Sequence, residues 1–188
     1  MPLVHVFGAS GSGTTTMGRA IASAYGYVHL DSDDFFWQPT DPPYQRTRSV
    51  EERALLLHDA VKRNDYTVLS GSLCGWGDFL IPRFDLAIRL VTPTDIRIHR
   101  LAEREKERFG DRILPGGDMY DNHREFLEWA ATYDTAGADQ RSRALHELWS
   151  RRLLCPCLVM DGSRPMPDLL RELEPHIQRN SFPGKGIG

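Results

Sequence analysis

Lysine is nearly missing: of 23 basic residues only three are lysines, Lys62, Lys106 and Lys185, so cationic chemistry in this chain falls to arginine. Cysteine is scarce as well. Cys74, Cys155 and Cys157 make an odd number, and Cys155-Pro156-Cys157 has no second pair with which to build a zinc site. Reduced thiols packed beside the last strand are expected. No apolar run approaches the length that crosses a bilayer, so no membrane partner is expected. Neither sign of charge dominates, and a formal net charge of -3 gives no electrostatic case for a nucleic-acid partner. A strand-like run begins almost at once, without a charged prefix and apolar segment, and a cytoplasmic protein is expected. With 40% hydrophobic and 26% charged residues, 188 residues suffice for one globular domain with a full core.

What is abundant is glycine in the first loop, Gly8-Ala9-Ser10-Gly11-Ser12-Gly13-Thr14-Thr15, between the apolar run Leu3-Val4-His5-Val6-Phe7 and a helical stretch. Set against the P-loop template G-x-x-x-x-G-K-[ST], the glycines fall at Gly8 and Gly13 and the hydroxyl at Thr15. Glycines let successive backbone N–H groups converge on an anion, and the following helix adds unpaired N–H groups and the positive end of its dipole. Gly8, Ser10, Gly11, Ser12, Gly13, Thr14, Thr15 and Thr16 are therefore the candidate phosphate-binding residues, with the Thr15 hydroxyl a candidate Mg²⁺ ligand. The lysine position holds Thr14. Losing one preorganised donor costs about 3 kcal/mol of transition-state stabilisation, so an arginine has to stand in or turnover is slow. A dinucleotide loop is the competitor, since Asp31 ends the next strand where a ribose-binding acid belongs. Against it, the order is G-x-x-G-x-G rather than G-x-G-x-x-G.

Helical spacing of Met17, Ala20, Ile21 and Ala24, stopped by Gly26, predicts a helix over 16–25. Tyr27-Val28-His29-Leu30 is a short strand that delivers Asp31-Ser32-Asp33-Asp34 to the edge where α/β sheets collect ligands. Three carboxylates in four residues fit a role with a cation, or a turn in which Asp33 or Asp34 caps the next segment. Phe35-Phe36-Trp37 with Pro39, Pro42 and Pro43 reads as a loop with aromatic anchors. Ser49 starts a helix whose apolar side is Leu55, Leu56, Ala60 and Val61. Tyr66 to Leu69, Leu86 to Val91 and Cys157 to Met160 supply three more strands, for five in all. Ser70-Gly71-Ser72 leaves space for a ligand or neighbouring loop, and a short helical piece lies between Leu73 and Arg83.

A helix from Thr94 to about Phe109 carries Arg97, Arg100, Arg104 and Arg108 along one stripe. Such a stripe repels itself unless an anion sits in it, although Glu103, Glu105 and Glu107 are available as surface partners. Gly110 to Met119 looks like a mobile tip. Arg141 falls on the apolar side of the helix that carries Ala144, Leu145, Leu148 and Trp149, and needs an anionic partner there. Arg143 aligns with Glu147. The last helix carries Leu169, Leu170, Leu173 and Ile177, and the glycine-rich tail 181–188 is expected to be frayed.

In this order the motifs resemble the small P-loop kinases of the nucleoside monophosphate kinase and shikimate kinase group, over nearly the whole chain. Asp31-Ser32-Asp33 is similar to the D-x-D of shikimate and gluconate kinases. The resemblance implies a three-layer α/β P-loop NTPase fold, a five-stranded parallel sheet with a helical lid over about 104–140, in a single domain over 1–180. It implies that Asp31 holds Mg²⁺ through water and that Asp33 orients or deprotonates an acceptor hydroxyl. It also places Arg100 on the nucleotide base with Arg164 beside the adenine, Arg104 on the phosphates, and Arg141 and Arg143 where the family carries arginines after the lid; Arg104 and Arg141 are expected to serve the transferred group. The expected activity is transfer of the γ-phosphoryl group of Mg-ATP to a small-molecule or nucleotide acceptor. A nucleotide-binding module or slow ATPase is the alternative, and a dinucleotide-dependent oxidoreductase a third reading.

Overall fold

Six consecutive buried residues form β1, Leu3–Gly8, a run with no polar face, as expected of a strand covered on both sides. The computed structural model describes residues 2–180, so the expected frayed tail at 181–188 lies outside the described residues. β1 pairs in parallel with β3, Thr67–Ser70, and with β4, Leu86–Val91. β2, Val28–Asp31, lies outside β3 and β5, Cys157–Asp161, outside β4, giving the order β2-β3-β1-β4-β5 with every pair parallel. The five expected strands are all present. β1 is the point where the order reverses, and its C-terminal end is where ligands of open α/β sheets bind.

Two apolar layers cover the sheet. On one face Met17 and Ile21 of α1, Thr14–Tyr25, meet Leu169, Leu173 and Ile177 of α7, Met166–Asn180. On the other, Leu57 and Val61 of α3, Val50–Lys62, pack with Leu73, Leu80 and Trp149, the last from α6, Arg143–Ser150. Ser49 caps α3 by accepting from the Glu52 N–H, as expected. The buried face of α3 matches the expected one at Val61 but not at Leu55 and Leu56. Leu55 and Leu56 are 63% and 42% exposed, because Leu57 and Val61, four apart, take the inner stripe and leave their neighbours turned away.

Phe35 and Phe36 are helical rather than loop, closing α2, Ser32–Phe36. The cap of this helix is Asp31, which accepts from the Asp33 N–H, not Asp33 or Asp34. α4, Thr94–Phe109, and α5, Tyr120–Ala131, are joined by a segment that begins with a 3-10 turn, Gly110–Ile113; Ile113 and Met119 are both buried, so the expected glycine tip is pinned at two points. Among the described residues no helix is long and apolar enough to cross a membrane. All three cysteines are free thiols, with Cys155 and Cys157 packed beside the second apolar layer as expected.

Two histidines lie within this core. His5 stacks on Phe7 and Phe84 and donates from Nδ1 to the Leu69 carbonyl, and burial pushes its pKa down to about 4. His146 is lowered to about 3 by burial and by the charges of Arg141 and Arg89. Both are therefore neutral in the fold and ionise readily once unfolded. Their contribution to stability is complete above the unfolded pKa near 6.5 and is lost as pH falls toward 4 and 3. Melting temperature should drop by several degrees between pH 7 and pH 4.5, and His5→Phe should flatten part of that slope; a pH-independent melt would contradict this.

Candidate active site

Three carbonyls of the glycine-rich loop are engaged by side-chain donors: Ser12 O accepts from Thr92 Oγ1 at 3.3 Å, Ser10 O from Arg97 Nη1 at 3.4 Å and Gly8 O from Arg141 Nη2 at 3.5 Å. Gly13 precedes α1 in the left-handed region and provides no side-chain cap, so the first-turn N–H groups at Thr14 to Thr16 have no acceptor within the helix. Gly11, with φ of 80°, comes so close to α4 that a Cβ would stand 2.6 Å from the Arg97 carbonyl oxygen. A side chain there would push the loop off the helix that braces it. Carbonyls already engaged by side chains, next to helix-start N–H groups without an acceptor, suit an anion.

Directly below, the Thr15 hydroxyl donates to Asp31 Oδ2 at 2.7 Å, and Ser70 Oγ donates to the same oxygen at 3.2 Å, backed by His29 at 2.9 Å. Thr15 and Asp31, far apart in sequence, are thus adjacent. Among the described residues no cluster of three His, Cys, Asp or Glu side chains could hold a metal. A hydroxyl and a single carboxylate fit Mg²⁺ whose remaining ligands are phosphate oxygens and water, because that ion keeps several waters and is bound by few protein groups. Gly71 completes this corner. Its φ is 101° and a Cβ would lie 1.9 Å from Ser32 Oγ, so the expected small-residue gap after β3 is filled by α2 itself.

Asp33 projects from the first turn of α2 on the floor of the cleft. Water reaches it, yet protein atoms crowd it, and this burial raises its pKa; Arg141 and Arg104 pull the other way, with Asp31 and Asp34 adding to the rise. Asp33, Arg104 and Arg141 are thus gathered within electrostatic reach of one another. Arg141 has no carboxylate partner among the described residues. It lies 5.9 Å from the Trp129 ring, and its buried Nε makes no hydrogen bond. Arg104 rests against Glu105 at 3.3 Å.

The arginine stripe on α4 divides into separate roles. Arg97 is not available to a ligand: it is fully buried and donates to Thr92 O, Ser10 O, Ala130 O, Thr94 Oγ1 and Asp134 Oδ2. Arg100 donates to the Gly162 carbonyl at 2.9 Å, which sets it beside the turn after β5, where Arg164 pairs with Glu172 at 2.5 Å. Arg108 reaches Tyr44 Oη at 3.3 Å. Arg143 does not pair with Glu147. It pairs with Asp134 at 3.1 Å, and Glu147 is taken by Arg89 at 3.2 Å.

Beyond Asp33 a cavity of about 290 Å³ opens between Asp33, Asp34, Trp37, Tyr44 and the proline loop. Arg112 ties Asp41 of that loop, at 2.8 Å, to Asp118, joining the loop to the segment after α4. Arg48, at the cavity wall, is consumed by the carbonyls of Asp34, Phe35 and Trp37. Two residues on this side were not legible as functional. Arg53 lies over Phe36 at 4.2 Å and near Trp76, and its buried Nε has no partner. His146 bonds Ser72 Oγ at 3.0 Å and Tyr133 Oη at 2.8 Å. Spacing held the signal for both: Arg53 is four before Leu57 and eight before Val61, and His146 lies three before Trp149.

No protein-family model matches the chain. The uncharacterized protein YqaC of Bacillus subtilis is 44% identical over 158 residues, 84% of this chain and 87% of that one. A cytidylate kinase of Haloarcula marismortui is 29% identical over 120 residues, 57% of this chain and 60% of the kinase, so this likeness spans only part of that enzyme. Among solved structures, the shikimate kinase from Acinetobacter baumannii in complex with shikimate has a TM-score of 0.58 at 16% identity, over 97% of this chain and 96% of that one. The likeness in structure is one of fold, that of the P-loop kinases. The dinucleotide reading has no support in this topology: a dinucleotide fold places the second strand beside the first, and here β3 lies between them.

Proposed function

Because the chain belongs to the family of the Bacillus subtilis protein YqaC and is folded as the P-loop small-molecule kinases are, we propose that it transfers the γ-phosphoryl group of Mg-ATP to a small anionic acceptor in the cytoplasm. The observation that carries the reading is the polarity of the first loop, whose carbonyls are engaged by Thr92, Arg97 and Arg141 while the N–H groups of the helix start are unopposed. The loop holds the phosphates, and Arg100 with the turn at Ser163 and Arg164 borders the base. Mg²⁺ held by Thr15 and, through water, Asp31 would screen the charge shared by the phosphates. Asp33 accepts the proton of the acceptor hydroxyl, a task its raised pKa suits. Arg104 and Arg141 supply positive charge where it develops on the transferred group.

The cavity beside Asp33 has the size of a small metabolite rather than of a macromolecule. Arg53 supports an acceptor that carries a carboxylate or phosphate, since its stacked guanidinium retains a buried donor with no protein acceptor. Incubation with Mg-ATP and a panel of hydroxylated carboxylates, phosphate esters, nucleotides and neutral polyols, read by mass spectrometry, tests this. Phosphorylated product should form from anionic members only. ATP loss that yields inorganic phosphate with every member would overturn the kinase reading in favour of a slow ATPase or nucleotide-binding module, which the Thr14 substitution also favours.

A further inference from the structure

We infer that the Arg141 guanidinium takes over the electrostatic role of the ammonium that P-loops normally carry in the loop itself, and that this chain binds the terminal phosphate through the segment preceding α6. The inference rests on the phosphate-cradle reading and deepens it. Position 14 is threonine, and the described lysines are remote from the loop in sequence: Lys62 closes α3 and Lys106 is an exposed residue late in α4. The candidates are therefore the arginines around the loop, and their bonds separate them. Arg97 is spent on five acceptors inside the protein. Arg100 is directed to the turn after β5, and Arg104 lies against Glu105.

Arg141 differs from all three. It makes one long hydrogen bond, 3.5 Å to the carbonyl of Gly8, the first residue of the loop, and has no carboxylate within ion-pair distance among the described residues. Its Nε is buried and unpartnered, as is that of Arg104, but Arg104 has the Glu105 carboxylate beside it. Asp33 feels its charge from beyond ion-pair distance, and a partly buried cation without a direct ion pair leaves an arriving anion much to gain. The guanidinium is also well placed to stay there. Ser142, the next residue, caps α6 by accepting from the Leu145 N–H at 3.0 Å and donates to the Gly137 carbonyl at 2.6 Å, while His146 fastens the same helix to Ser72 and Tyr133. The backbone next to the cation is thus fixed by a folded helix start.

Calorimetric titration of Mg-ATP and Mg-ADP into the full chain, Arg141→Gln, and Thr14→Lys with Arg141→Gln, tests the assignment without requiring the acceptor. Arg171→Gln, on the outer side of α7, controls for net charge. Arg141→Gln should weaken Mg-ATP about tenfold or more and Mg-ADP less than threefold, because the terminal phosphate is the group lost. The added lysine should restore most of the preference for ATP. In the unaltered chain Mg-ATP should slow modification of Arg141 by a dicarbonyl reagent more than Mg-ADP does, a readout independent of whether any variant folds. An unchanged ATP-to-ADP ratio in Arg141→Gln, a double variant no better than the single one, or equal protection by the two nucleotides would overturn the role of Arg141 and leave the cradle standing. Failure of the unaltered chain to bind either nucleotide would overturn both.

Discussion

Arg97→Met should destabilise the protein by about 3–5 kcal/mol, the scale on which buried charge networks respond to loss of one partner. For a chain of this size that is a fall in melting temperature on the order of 10 °C. The guanidinium is fully buried and joins three chain segments: the Ser10 carbonyl of the first loop, the Thr92 carbonyl after β4, and Ala130 and Asp134 around the end of α5. Methionine fills similar volume but removes a donor from each of those acceptors, and although Asp134 keeps Thr94 and Arg143, each buried orphan costs about 1–3 kcal/mol. The loop is expected to lose order with the rest, so nucleotide binding weakens together with stability. Arg141→Gln, by contrast, should alter binding with little change in melting temperature. Equal thermal stability of Arg97→Met and the parent would contradict the structural role given to this residue.

Asp33→Asn should lower turnover about 10²- to 10⁴-fold, the usual contribution of a positioned general base, while making the protein more stable at neutral pH. The second half follows from the sign of the shift. Burial raises the carboxyl pKa in the folded state, so between the unfolded and folded values the native protein binds the extra proton and stability declines as pH rises. Above the folded value the ionised group is a standing penalty, which asparagine removes. The melting temperature of Asp33→Asn should exceed that of the parent at pH 7, and the gain should vanish at pH 3. Phosphoryl transfer by the parent should fall as pH drops through the raised pKa. A variant that keeps its rate would remove Asp33 from the chemistry, and one less stable at pH 7 would contradict the burial account.

The regular parts of this architecture were legible because their patterns are local. A run of buried residues at β1, capping by Ser49, and glycine at the end of α1 each follow from short-range rules. The proximity of Thr15 and Asp31 was accessible only through the P-loop pattern and the D-x-D likeness, and the structure closes them to 2.7 Å. What was illegible depends on which face of a helix meets the sheet. Leu55 and Leu56 look like core and are exposed, while Arg53 shares the buried stripe with Leu57 and Val61. On α4, spacing aligned four arginines, but Arg97, enclosed in protein, is only about one turn from Arg100 and about two from Arg104, which are not enclosed. Arg143 and Glu147 satisfy the i,i+4 rule and nevertheless choose Asp134 and Arg89, partners from other elements. Tertiary competition of this kind leaves no mark in the spacing of one helix.

Everything proposed for this site depends on backbone amides at the start of α1 enclosing a polyphosphate. Titration of the unaltered chain with Mg-ATP, with Gly11→Val as the comparison, measures that directly, because a branched side chain at Gly11 must displace the loop from α4. Saturable binding by the parent at or below millimolar ligand, lost in Gly11→Val, is the expected result. No heat of binding from the folded parent with millimolar Mg-ATP would contradict it.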